Sequence, residues 1–86
     1  MQKLRPDMDI GQNIQQLRRE THLTQDEVVA KLHLMGLDIS KSTYAKLESN
    51  RMNIRVSELV ALSLIFKSDF NAFFHGLKNE FQSHLD

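Results

Sequence analysis

The chain has 86 residues, 41% hydrophobic and 26% charged, enough for one small domain but not for an additional catalytic or effector-binding domain. It has no cysteine, which excludes disulfides, thiolate metal sites and cysteine nucleophiles, and its 11 basic and 11 acidic residues cancel. No apolar run approaches the roughly 18 residues of a membrane span, and the first ten residues lack the apolar stretch of a secretory signal, so a cytoplasmic protein away from the membrane is expected.

A single proline, Pro6, and three glycines give none of the dense turn punctuation of an all-β protein. Ile10, Ile14 and Leu17 lie at i, i+4 and i+7, with Asp9 as N-cap and Gln12 three residues on, predicting a helix over 10–20. Thr24 and Glu27 form a capping box, Leu23 and Val28 a hydrophobic staple across it, and Gly36 a stop. These predict a second helix over 25–35. Ser40 as N-cap, Ile39 and Tyr44 as staple partners and Leu47 one turn on predict a third over 41–49. Residues 50–55 form a polar, basic loop. Leu59, Leu62 and Phe66 mark a fourth helix over 56–67, poorly capped because Arg55 stands at the cap position. Asp69 caps a fifth, carrying Phe70, Phe73, Phe74, Leu77, Phe81 and Leu85. No strand pattern or repeat is visible. An all-α, five-helix fold is expected.

Catalytic signatures are missing: there is no GxSxG, P-loop or HExxH string. His22, His33, His75 and His84 are not spaced four apart, and the carboxylates are scattered. Neither an enzyme nor a metal or cofactor site is expected.

Two short helices joined by a brief turn, 24–35 and 40–49, form instead a helix-turn-helix pattern. In such a unit the second helix enters the major groove and its first turn meets base edges. The third helix has the required two faces, with Lys41, Ser42, Ala45 and Lys46 outward and Tyr44 and Leu47 inward. An ordinary amphipathic helix with a solvated charged face fits that pattern equally well. Charge distribution favours the DNA reading. Residues 31–55 carry five basic groups against two acidic ones, a balance of +3, and the remainder carries −3. Affinity for DNA depends on the charge facing phosphate, so zero net charge does not exclude it.

The residues Ile10-Gly11-x-x-Ile14-x-x-Leu17-Arg18, then Leu23-Thr24-Gln25-x-x-Val28, then Ile39-Ser40-Lys41-Ser42-Thr43-Tyr44-x-x-Leu47-Glu48-Ser49-Asn50-Arg51 resemble the Cro/lambda-repressor type of helix-turn-helix regulator, the XRE family. The resemblance covers about residues 9–75. It implies an N-terminal arm over 1–8, a DNA-binding domain over 9–75 and a C-terminal helical extension over 76–86. It also implies that Lys41, Ser42 and Lys46 occupy base-reading positions, with phosphate contact the alternative for both lysines. Gln25, Ser40, Thr43, Asn50, Arg51 and Arg55 are the implied phosphate contacts, Gln25 also bracing the recognition helix. Arg18 and Glu48 match a buried ion pair between the first and third helices. Three departures stand out. Six residues, 33–38, separate Leu32 from Ile39 where the family commonly has one, which alters the turn. Ile54-Arg55 replaces a Pro-Ser start of the fourth helix, and Ser68 stands where an apolar residue is typical.

The resemblance places Phe70 and Phe73 under the fourth helix. Leu77, Phe81 and Leu85 lie at or beyond the family domain's end and are expected to form a homodimer contact, folding back onto the core being the alternative. The expected function is sequence-specific DNA-binding transcriptional regulation, as a repressor acting as a dimer on a pseudo-palindromic operator. The expected partners are double-stranded DNA and a second copy, with no small-molecule effector site. The alternative is a helix-turn-helix module that binds protein, such as an antitoxin or regulatory subunit.

Overall fold

A computed structural model describes residues 3–4, 9–78, 82 and 84. Four α-helices carry the fold: α1 Gly11–Glu20, α2 Gln25–Leu34, α3 Lys41–Glu48 and α4 Val56–Phe66. A 3-10 helix follows at Phe70–Phe74. Two short segments, β1 Lys3–Leu4 and β2 Ile54–Arg55, pair antiparallel with Lys3 opposite Arg55 and Leu4 opposite Ile54. Two-residue strands are too short to show a readable alternation, which is why no strand pattern is visible in the sequence.

In α1, α2 and α3 a side chain takes up a free N–H of the first turn. Thr24 accepts from Glu27 N–H while Glu27 accepts from Thr24 N–H at 2.8 Å, completing the capping box of α2. Ser40 caps α3 by accepting from Thr43 N–H at 3.1 Å. In α1 the cap residue is Ile10 rather than Asp9, yet Asp9 Oδ1 still accepts from Gln12 N–H at 3.2 Å. Arg55 does stand at the cap of α4, and Glu58 compensates by accepting Arg55 N–H at 2.7 Å.

All four α-helices end in one way. A left-handed residue closes each, at His22, Gly36 and Asn50 just after the caps of α1 to α3 and at the cap itself, Lys67, in α4. Its N–H and the next one return to the last turn, as in Leu37 N–H to Leu32 O and Gly36 N–H to His33 O, both 3.0 Å.

The core is one cluster drawn from every helix. Ile14, Val28, Leu32, Tyr44, Ile54, Leu62 and Phe73 are fully buried. Phe73 stacks obliquely on Phe66, ring centroids 6.4 Å apart, fastening the 3-10 helix to α4. Gly11 marks the tightest approach. A Cβ there would lie 2.5 Å from Glu48 O and 2.7 Å from Leu47 O, so only glycine lets α1 cross the end of α3 this closely.

The expected fifth helix is replaced among the described residues by the short 3-10 helix at Phe70–Phe74, which Asp69 caps by accepting from Ala72 N–H, and it does not run on unbroken from there, although Gln82 and His84 are helical. Asn13 of α1 donates its side-chain amide to Phe73 O at 2.8 Å and His75 O at 3.1 Å, capturing carbonyls that a continuing helix would use. His75 is extended and Gly76 left-handed, which ends the turn. Phe73 lies under α4, but Phe70 is half exposed, contrary to expectation. The polar Ser68 is accommodated because its hydroxyl donates to Phe66 O. No helix among the described residues is long and apolar enough to cross a membrane.

Candidate nucleic-acid interface

Three helices converge on the carboxylate of Glu48, at the end of α3. Arg18 of α1 donates from Nε to Glu48 Oε2 at 2.6 Å and from Nη2 to Oε1 at 3.1 Å. Its Nη1 donates to Leu23 O at 3.0 Å, tying in the turn before α2. Gln25, the first residue of α2, donates from Nε2 to Glu48 Oε1 at 3.0 Å. The Glu48 side chain is only 2% exposed and that of Arg18 13%. Burial works against ionisation of Glu48, but the hydrogen bonds from Arg18 and Gln25, with the Arg18 charge, outweigh it and hold the carboxyl below its ordinary value. The hydrogen bond to Glu48 raises the Arg18 pKa against the opposing effect of burial. Burial, reinforced by the neighbouring carboxylate, likewise pushes up the Tyr44 hydroxyl. A bidentate, nearly dry arginine–carboxylate pair has fixed geometry, so this cluster sets how α3 sits on α1 and α2.

The turn into α3 has its own strut. His33, on the last turn of α2, donates from Nε2 to Ile39 O at 2.6 Å, the carbonyl just before the Ser40 cap. This bond and the left-handed Gly36 shape the long 33–38 segment. Its role was not legible in the sequence, because a histidine in a turn has no distinctive spacing.

On this frame α3 exposes Lys41, Ser42 and Lys46 while Tyr44 and Leu47 are buried. Lys41 Nζ lies 3.2 Å from Asp26 Oδ1 of α2, with both side chains largely exposed. Sequence reasoning did not anticipate Asp26, since the pairing exists only once α2 and α3 are docked. Ser40 Oγ lies 3.1 Å from Ser42 Oγ and donates to Thr43 Oγ1 at 3.0 Å, so the hydroxyls form a small connected group at the start of α3. Gln25 is half-buried, its amide nitrogen engaged by Glu48. Arg51 and Arg55 are exposed on the segment after α3, and Asn50 is half-buried in the left-handed position there.

Leu77 packs partly against the core, and Phe81 and Leu85 lie outside the described residues. The largest exposed apolar side chains are elsewhere, with Leu34 87% and Leu64 64% exposed. No cluster of histidine or carboxylate suited to a metal ion occurs among the described residues.

A short α2, a turn and a capped α3 with one exposed polar face define a helix-turn-helix protein. A family model described as helix-turn-helix matches residues 14–73. The chain belongs to this family, the lambda-repressor/Cro or XRE type, which comprises DNA-binding regulators and is generally non-enzymatic. No curated protein and no solved structure matches the chain.

Proposed function

We propose that the chain is a sequence-specific transcriptional regulator that binds double-stranded DNA as a dimer and represses by occluding a promoter. The observation that carries this reading is the exposed face of α3, with Lys41, Ser42 and Lys46 outward on a helix that Glu48 locks to α1 and α2. A preorganised helix presents its donors to base edges with little ordering cost. Gln25, Ser40, Thr43, Asn50, Arg51 and Arg55 serve as phosphate contacts on either side of it. Two copies place two such helices about 34 Å apart, on successive turns of a pseudo-palindromic site.

A second reading, a helix-turn-helix module that binds a protein partner, is favoured by one observation. Asp26 sits against Lys41 at the start of α3, and the chain as a whole is neutral. A gel shift on a random duplex pool at two salt concentrations separates the two. Retention that weakens steeply with salt supports DNA binding. No retention at low salt overturns it.

A further inference from the structure

The C-terminal ends of α2 and α4 enclose an open groove of about 320 Å³ lined by Lys31, Leu34, Met35, Leu64, Ile65 and Lys67. None of these belongs to the proposed DNA-binding surface. Isolated exposed leucines are ordinary, but four apolar side chains gathered in one groove between two lysines mark a docking surface. Val60, one turn before Leu64 on the same face of α4, is also exposed and extends the apolar strip. Neither lysine is in a salt bridge among the described residues.

Charge decides what fits there. Placing this groove against its own copy across a two-fold axis would bring four lysines into one interface, and like charges across an interface are costly. The complementary occupant is an apolar segment flanked by carboxylates. Residues 79–86 of this chain are such a segment: Phe81 and Leu85 are four apart, the spacing of one helix face, and Glu80 and Asp86 flank them. Within it, Gln82 N–H donates back to Lys78 O at 3.1 Å, a helical hydrogen bond.

We infer that the groove between α2 and α4 receives the 79–86 segment of a second copy, Phe81 and Leu85 filling it and Glu80 and Asp86 facing Lys31 and Lys67. The exchange is reciprocal, so two grooves are filled per dimer. The inference rests on the dimeric half of the proposed function and is independent of DNA binding.

Charge reversal tests it in solution without DNA. One variant carries Lys31→Glu and Lys67→Glu, the other Glu80→Lys and Asp86→Lys. All four substitutions exchange one charged side chain for another, and circular dichroism of each variant should match the wild type. In sedimentation equilibrium at low salt, each variant alone should dimerise about tenfold or more weakly than the wild type, because groove and tail then carry like charge. An equal mixture should restore pairing, because each groove then meets a tail of opposite charge. A mixture that pairs no better than either variant alone overturns the exchange. A wild-type dimer indifferent to all four reversals overturns the groove but leaves dimerisation standing. A monomeric wild type, including one whose tail closes on its own groove, overturns both.

Discussion

Replacing Arg18 by methionine removes the guanidinium and leaves the Glu48 carboxylate, 2% exposed, with Gln25 as its remaining donor from α2. Stranding one member of a buried pair costs about 3–5 kcal/mol. At roughly 0.05–0.15 kcal/mol per residue, a domain of this size holds only about 4–13 kcal/mol, so the loss is a large fraction of the total. Each kcal/mol moves the midpoint of a small domain by about 4–8 °C, so Arg18→Met should melt tens of degrees lower. Glu48→Leu should cost somewhat less, because Arg18 is 13% exposed and keeps its bond to Leu23 O. The double change Arg18→Met/Glu48→Leu leaves no buried charge and should lie within about 1–2 kcal/mol of wild type. The pH dependence carries the sign. In the wild type the Glu48 carboxyl lies below its ordinary value of 4.5, so its contribution is complete above that value and is lost as pH falls through the depressed one. In Arg18→Met burial is no longer outweighed and the carboxyl shifts upward, so that variant should instead gain stability as pH falls from 7 toward 5. Thermal melts of the four proteins from pH 4 to 7 decide the matter. Small additive losses with parallel pH profiles would refute a buried, coupled pair.

Gly11→Ala gains about 1 kcal/mol of helix propensity, yet its methyl would meet backbone atoms at 2.5–2.8 Å. Overpacking of about 1–3 kcal/mol or more should win, and a higher melting temperature would contradict the close crossing of α1 and α3. Asp26→Asn frees Lys41 and removes a charge that repels phosphate. Stability should change by under about 1 kcal/mol, while DNA affinity rises and its salt dependence steepens, measured by fluorescence anisotropy. Weaker binding would show that Asp26 helps rather than restrains. His33→Ala removes the strut to Ile39 O and should weaken operator binding about tenfold or more, with His33→Gln, which retains a donor, recovering part of it. Equal losses in both variants would mean that the ring acts by bulk alone.

The sequence was most informative where a structural feature is encoded within a few residues. Thr24 with Glu27, and Ser40, marked the starts of α2 and α3 because a cap and its partner are three residues apart. Helix ends were harder, since three of the four left-handed positions are occupied by His22, Asn50 and Lys67 rather than glycine. The tail went astray for a non-local reason. Phe70, Phe73, Phe74 and Leu77 have helical spacing, but the amide that interrupts the helix belongs to Asn13, 60 residues before Phe73. Lys41 was legible as an exposed lysine, but its partner Asp26 depends on the docking of two helices. The groove carrying Leu34 and Leu64 was invisible for the same reason, because only the packing of α2 against α4 brings the two leucines to one surface.

The central claim is that the exposed face of α3 reads DNA sequence. The most direct measurement is the affinity of wild type and of Lys41→Ala/Lys46→Ala for a duplex selected by the wild type from a random pool, alongside an unrelated duplex. Each base-reading lysine is worth about 1–3 kcal/mol of discrimination. The double variant should therefore lose roughly 30-fold or more on the selected duplex, at about 1.4 kcal/mol per tenfold, with a much smaller loss on the unrelated one. Undiminished affinity for the selected duplex, or equal losses on both, would contradict the claim.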